Sequence, residues 1–170
     1  IINSLKKIND LLSRYFIGLI IQISILFAIY SVTLLIFDIK SAVVIAFLCA
    51  LLNLIPYIGP LIGGVLMILL TMTSSIEYDF QTHILPVTTY VLFGYIIAQL
   101  IDNFFSQPII FSKSVKSHPL EIFLIIVIGG LLFGITGMIF AVPSYTVIKV
   151  VLKEFLSDNP IVKSLTKDFD

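Results

Sequence analysis

The stretch LLNLIPYIGPLIGG, Leu51 to Gly64, sets Pro56, Gly59 and Pro60 inside a strongly apolar run. Proline lacks an N–H and its ring clashes with the preceding turn, so the carbonyls of Leu52 and Pro56 are expected to lose their helical partners. In lipid that loss is costly unless protein or trapped water replaces the bond. The break should therefore face a protein interior or a wet cavity. The run 41–73 that contains it is too long for one tidy crossing, and each of its halves is short for a full one. It reads as a broken, re-entrant hairpin, with Asn53, Pro56, Gly59 and Pro60 at the break.

The rest of the chain supports a membrane setting. Of 170 residues, 59% are hydrophobic and only 12% charged, against about 25% charged in ordinary soluble domains. Formal net charge is zero, and the basic residues form small clusters between apolar runs, so no nucleic-acid partner is expected. Residues 15–37 carry no charge and are long enough to cross a hydrocarbon core of roughly 30 Å at about 1.5 Å per residue. Before them, Ile1, Leu5, Ile8, Leu12 and Tyr15 recur at helical spacing, with Lys6, Lys7, Asp10 and Arg14 on other faces. This predicts an amphipathic helix over 1–14. A second span covers 84–106. A second overlong run, 120–152, is interrupted by Gly129, Gly130, Gly134 and Gly137 and then by Pro143. The fold class expected is all-α: a polytopic membrane domain over 15–156, one span and one broken hairpin, twice, followed by a cytoplasmic tail over 157–170. The chain begins at Ile1 without a signal-peptide pattern, and reads as a piece of something longer.

Charge orients this topology, because cytoplasmic loops gather Lys and Arg. If each broken run returns to the side it left, Lys6, Lys7, Arg14, Lys113, Lys116, Lys149, Lys153, Lys163 and Lys167 are all cytoplasmic, and Lys40 alone is outside. The two halves then have opposite orientation, as in inverted-repeat transporters. Gly59 with Gly63, and Gly130 with Gly134, are small-xxx-small pairs that let another backbone approach closely. Two hairpins could pack tip to tip. Prolines and glycines in membrane helices also serve packing alone, with no ligand, so that reading stays open.

Gln99, Asp102, Asn103 and Ser106 fall at steps of three and four and should share one helix face. A carboxylate at membrane depth costs about 3 kcal/mol on insertion scales and is a functional candidate by default. Asp102 is the residue best suited to bind a cation or cycle a proton; the plainer alternative is that it meets headgroup water or Lys113 near the end of its span. Glu121 is expected to favour a helix N-terminus. His83 and His118 are the two histidines, far apart, with no zinc or nucleophile pattern, so neither an enzyme, a metal site nor a cofactor is expected. Cys49, in an apolar run, reads as a small hydrophobe.

With these residues on the page, the sequence resembles the C-terminal part of the autoinducer-2 exporter family of bacterial permeases. NLIPYIGPLIGG (53–64), DNFFSQP (102–108), SKSVKSHPL (112–120) and GGLLFGITGMIFAVP (129–143) carry the resemblance in order and spacing. It implies a bacterial inner-membrane, multi-pass transporter, with a further N-terminal membrane portion. It adds interest to Pro56, Gly59, Pro60, Asp102, Asn103, Gln107, Pro108, His118 and Pro119. Where the family pattern has a glycine-lysine-serine and a glycine-leucine, this chain has Ser112 before Lys113 and Ser114, and Lys116 with Ser117. The function expected is export of a small polar molecule such as autoinducer-2. Sodium/proton antiport and a non-transporting membrane scaffold are the alternatives, and the expected partners are the lipid bilayer, the solute or cation, and further copies of the chain.

Overall fold

The computed structural model describes residues 2–106, 108, 118–156, 162 and 166. Among the described residues every regular element is helical and no strand is present. The elements are α1 (Ile2–Ile36), α2 (Ala42–Leu52), α3 (Ile58–Ser74), α4 (Leu85–Ile101) and α5 (Pro119–Phe155), with π-helical turns Phe80–Ile84 and Asp102–Ser106 at the two ends of α4. Three helical stretches, Leu5–Ile36, Phe80–Ser106 and Pro119–Phe155, are long and apolar enough to cross a membrane. The chain divides into two units, Ile20–Gln107 and Ile1–Leu19 with Pro108–Asp170, and α1 contributes to both.

Helix α1 passes without interruption through residue 14, where a boundary between surface helix and span was expected. Nothing from Ser13 to Phe16 stops a helix, since the stretch has no proline or glycine. The helix ends at Ile36 and the chain turns at Asp38, whose φ of 51° is left-handed, with Ile39 N–H returning to Leu34 O at 3.1 Å.

In the unit Ile20–Gln107, Leu26, Tyr30 and Leu34 form one stripe of α1 at four-residue spacing. Ala42, Ile45, Ala46, Cys49 and Ala50 form the buried stripe of α2. Met67 of α3 and Val91, Tyr95 and Ala98 of α4 complete the core. Helices α1 and α4 run antiparallel in register: Phe37 stacks on Tyr90 with ring centroids 5.6 Å apart, Thr33 lies against Gly94, and Tyr30 stacks on Tyr95 at 5.2 Å. A Cβ at Gly94 would collide with the Thr33 methyl, so this glycine is what lets the helices meet there.

The stretch 41–73 is folded back on itself. At its base Lys40 Nζ and Glu77 Oε2 are 3.1 Å apart, and Ser74 Oγ donates to Lys40 O at 3.4 Å, so both ends of the stretch lie together. At its tip α2 gives way to a tight turn. Ile55 N–H donates to Leu52 O at 3.1 Å and Ile58 N–H donates to Pro56 O at 2.8 Å. Pro56 and Pro60 supply no N–H to these two carbonyls, and the chain closes them instead with its own turn bonds. The second bond forces Tyr57 to φ 66°, ψ −51°, a γ-turn geometry that costs a non-glycine residue about 1–3 kcal/mol. Gly59 must be glycine for a different reason, since a Cβ there would strike Leu52 O and C.

In the other unit, α5 changes direction at Gly134, with φ 63° and ψ −147°. A Cβ on Gly129 would lie 2.6 Å from Gly137 O, and Gly130 lies against Met138. Eight residues along a straight helix span about 12 Å, so contact between Gly129 and Gly137 means that the arms fold back on each other. The close pair is therefore Gly129 with Gly137 rather than Gly130 with Gly134; Gly134 is the apex and has nothing within 4 Å of a Cβ. Pro143 is buried within the second arm. Leu11 of α1 packs on Val150. Around the apex Leu131 is 82% exposed and Phe133 75%, a surface suited to lipid or protein rather than water. Of the tail 157–170, only Val162 and Thr166 are among the described residues.

Candidate functional site

Two polar groups lie inside the unit Ile20–Gln107. The first is centred on Gln99, in the last turn of α4. Its Nε2 lies 2.7 Å from Tyr30 Oη, 3.1 Å from Asn53 Oδ1 and 3.1 Å from Tyr95 Oη. Asn53, in the residue position that ends α2, is itself fixed by donation from Nδ2 to Cys49 O at 2.9 Å. Tyr95 Oη donates to Pro60 O in the first turn of α3. One amide thus ties α1, the hairpin tip and α4 together. A two-proton NH2 cannot serve three oxygens at once, and Tyr95 Oη, its own proton committed to Pro60 O, is left to act as an acceptor in this group.

The second group is Asp102 with Gln22. Asp102 is 1% exposed and opens the π-helical turn after α4; Gln22 of α1 is 4% exposed and donates from Nε2 to Asp102 Oδ2 at 2.8 Å. Gln22 Oε1 and Gln99 Oε1 are buried and have no hydrogen-bond partner among the described residues. Leaving a buried polar atom unpaired costs about 1–3 kcal/mol, so such atoms call for an explanation by function.

The expected single polar face is only partly formed. Gln99 and Asp102 turn inward, whereas Asn103 is exposed and Ser106 is half-buried. Asn103 directly follows Asp102 and points about 100° around the helix from it, so with Asp102 turned inward Asn103 is left outside. Gln107 lies outside the described residues. Pro108, His118 and Pro119 are exposed; His118 caps α5, its Nδ1 accepting from Leu120 N–H at 3.3 Å, and Pro119 takes the first helical position. Of the break residues, Asn53 joins the polar group through its side chain and Pro60 through its carbonyl, while Pro56 and Gly59 shape the turn. Gly129, Gly130, Gly134, Gly137 and Pro143 belong to the other unit.

Gln22, Tyr30 and Tyr95 were not singled out in the sequence, although a signal exists. Gln22 is a polar residue within an apolar span, and Gln22, Leu26 and Tyr30 follow at steps of four. Lys149 is a second omission. Placed by charge counting on the cytoplasmic side, its side chain is 1% exposed and pairs with Glu121 Oε2 at 3.0 Å across the α5 hairpin. Tyr145 Oη donates to the same oxygen at 3.0 Å, and the ammonium sits 5.2 Å from the Tyr145 ring centroid. Glu121, expected to serve the helix N-terminus, does so and also neutralises this lysine.

Chemically, the interior of α1 to α4 offers one carboxylate, three amides and two phenol hydroxyls. Such a set exchanges hydrogen bonds with a small polar solute, or holds a proton or small cation on the carboxylate. No nucleophile stands beside a base in this group. Among the described residues no three His, Cys, Asp or Glu side chains gather as a metal site would require.

Comparison with known proteins gives a consistent answer. The family described as AI-2E family transporter matches residues 1–157. YrrI of Bacillus subtilis (strain 168), provisionally named a transport protein, is 32% identical over 152 residues, 89% of this chain and 40% of its own length. YueF of the same strain, named in the same way, is 28% identical over 145 residues, 85% of this chain and 37% of its own. PerM of Escherichia coli (strain K12), provisionally named a permease, is 45% identical over 58 residues, 34% of this chain and 16% of its own. The chain therefore spans about two fifths of the length of the Bacillus relatives. No solved structure matches it significantly.

Proposed function

We propose, from the premise that this chain belongs to the AI-2E transporter family, that it forms the part of a bacterial inner-membrane permease carrying its ion- or proton-responsive group, Asp102. Family membership and three membrane-length apolar helices make it part of a multi-pass membrane transporter whose relatives are named for transport rather than for an enzymatic reaction. The solute proposed is a small polar molecule such as autoinducer-2, moved outward. The stretches 41–73 and 120–152 are proposed to enter the bilayer and return to the side they left. Several copies of the chain are proposed to assemble.

The observation that carries this reading is the burial of Asp102 at 1% exposure against a neutral amide. A carboxylate is expensive inside a membrane, and a purely structural role is met as well by an apolar residue. The test uses full-length protein in liposomes, with proton, sodium and autoinducer-2 fluxes compared between wild type and Asp102→Asn. Flux that falls at least tenfold supports the reading; unchanged flux removes Asp102 from the mechanism.

The same carboxylate favours cation/proton antiport as a second version, and the assay separates the two by which species moves. A scaffold without transport is favoured by a different observation, the closure of the Leu52 and Pro56 carbonyls by turn bonds. That closure leaves neither of these two carbonyls bare for a solute, so the transport reading rests on side chains. Absence of every flux in the wild type would establish the scaffold.

A further inference from the structure

Gln22 is 4% exposed, and its amide is committed at one end only. Nε2 donates to Asp102 Oδ2 at 2.8 Å, while Oε1 is buried without a hydrogen-bond partner among the described residues. By covalent geometry Oε1 lies within about 5 Å of the carboxylate oxygen that Nε2 serves. An amide held this way suits one charge state of its neighbour, the carboxylate. Its terminal torsion is broad and roughly two-fold, and half a turn exchanges nitrogen for oxygen with almost no change of shape. In the reversed orientation Oε1 accepts from the O–H of a protonated Asp102. The orphan acceptor thereby gains its donor.

We propose that Gln22 is a positioning residue that holds Asp102 in both charge states, its amide reversing when the carboxyl takes up a proton and reversing back when the proton leaves. This inference rests on the transport reading of Asp102 given above. It names the coupling species as a proton. One donor–acceptor axis is all a proton needs, and the pair supplies it; a metal cation needs several convergent oxygens. The proton comes from the aqueous phase on one side and is released to the other, so no further reactant is required. A charged partner such as arginine would serve only the carboxylate form, and an apolar partner neither.

Other titratable groups on the helices packed in this unit are Tyr30 of α1, Cys49 of α2 and Tyr90 and Tyr95 of α4, while α3 carries none between Ile58 and Ser74. Tyr95 lies within electrostatic reach of both Asp102 and Cys49. Tyr30 and Tyr95 are bonded to Gln99, which lies about one helical turn before Asp102, and Gln22 is the amide bonded to the carboxylate itself.

The test measures proton entry into liposomes with a trapped pH-sensitive dye, using full-length protein, as external pH is stepped. Wild type, Asp102→Asn, Gln22→Met and Gln22→Glu are compared, with infrared difference spectra of the protonated carboxyl band. The methionine keeps the shape of Gln22 and loses both donor and acceptor. The expected result is that Gln22→Met shifts the carboxyl band, because the protonated carboxyl loses its acceptor, and displaces the midpoint of the rate–pH profile by less than about tenfold in proton concentration, the difference between a charge-assisted and a neutral hydrogen bond; a displacement of about tenfold or more with an unmoved band would mean that the amide serves the carboxylate alone. Gln22→Glu, which places two carboxylates around one proton, displaces the midpoint as well and serves if the methionine variant does not insert. A rate lowered equally at every pH, with an unmoved midpoint and band in whichever variant folds, overturns the inference and leaves only a packing role. Loss of flux in Asp102→Asn together with an unmoved carboxyl band in the Gln22 variants sinks the amide reversal alone; unchanged flux in Asp102→Asn sinks the transport reading with it.

Discussion

Lys149 and Glu121, 28 positions apart in the chain, meet at 3.0 Å across the folded α5 hairpin, with the lysine side chain 1% exposed. The contact fixes the register of the two arms, because Glu121 also receives Tyr145 Oη one helical turn away. It also sets a penalty on losing either partner. Glu121→Gln leaves a buried ammonium short of its counter-charge and is expected to cost about 3 kcal/mol or more. Lys149→Met with Glu121→Gln together should cost less than Glu121→Gln alone. Thermal unfolding of the detergent-solubilised variants checks this; equal losses in the single and double variants would argue that the pair does not govern stability.

The two hairpin glycines of α5 should respond differently to alanine. Gly137→Ala drives a Cβ into the Gly129 carbonyl and the Phe133 Cβ, so the arms must separate, at a cost of about 2 kcal/mol or more. Gly134→Ala meets nothing within 4 Å but must keep φ 63°, ψ −147°, a region close to glycine-only. Its cost is local strain of about 1–3 kcal/mol. Cross-linking of cysteines placed at Ile125 and Ser144 reports the difference: efficiency should fall in the Gly137 variant and persist in the Gly134 variant.

Tyr57 holds φ 66° at the tip of the α2–α3 hairpin and is 43% exposed. Replacing it by glycine removes the strain without emptying a core, so Tyr57→Gly should raise thermal stability by about 1 kcal/mol or leave it level. Tyr57→Val, β-branched and ill-suited to positive φ, should lower it. The order Gly, Tyr, Val in melting temperature is the outcome expected, and Val above Tyr would refute the turn geometry.

Asp79 starts the span Phe80–Ser106. Its Oδ1 accepts from Gln81 N–H at 3.1 Å, Thr82 N–H at 2.9 Å and Thr82 Oγ1 at 2.9 Å. The Thr82 backbone and side-chain donors, ahead of Gln81, hold its carboxyl below its ordinary value of 3.8. A lowered folded-state value means that the capping contribution is present above the unfolded value and lost as pH falls through the folded one. Amide exchange at Gln81 and Thr82 should therefore stay slow from neutral pH down to the ordinary carboxylate range and lose protection only below it. Asp79→Ala should remove the protection at every pH, and Asp79→Asn should keep most of it, since asparagine also caps.

Helical class, membrane-length runs and the places where runs break were legible in the sequence, because each is local. Hydropathy over about 20 residues and the missing N–H of proline act wherever the chain goes. The start of the α4 span at Phe80 rather than Ile84 was also local, since Asp79 caps through donors only two and three residues on, but hydropathy does not register a cap and begins the span later.

The candidate site divides in the same way. Asp102 and Gln99 stood out in the sequence because polar groups in apolar helices are costly and three residues apart on one helix. Asn103 was grouped with them by its spacing from Gln99, but it directly follows Asp102 and points about 100° away from it, which leaves it exposed. Gln22, Tyr30 and Lys149 come from residues 80, 69 and 28 positions away from their partners. What the chain by itself determined was where it would be helical, where it would turn, and that a charge would be buried. Which groups answer that charge was decided only by the tertiary structure, because a hydrogen bond depends on distances of about 3 Å between elements whose packing no local pattern records.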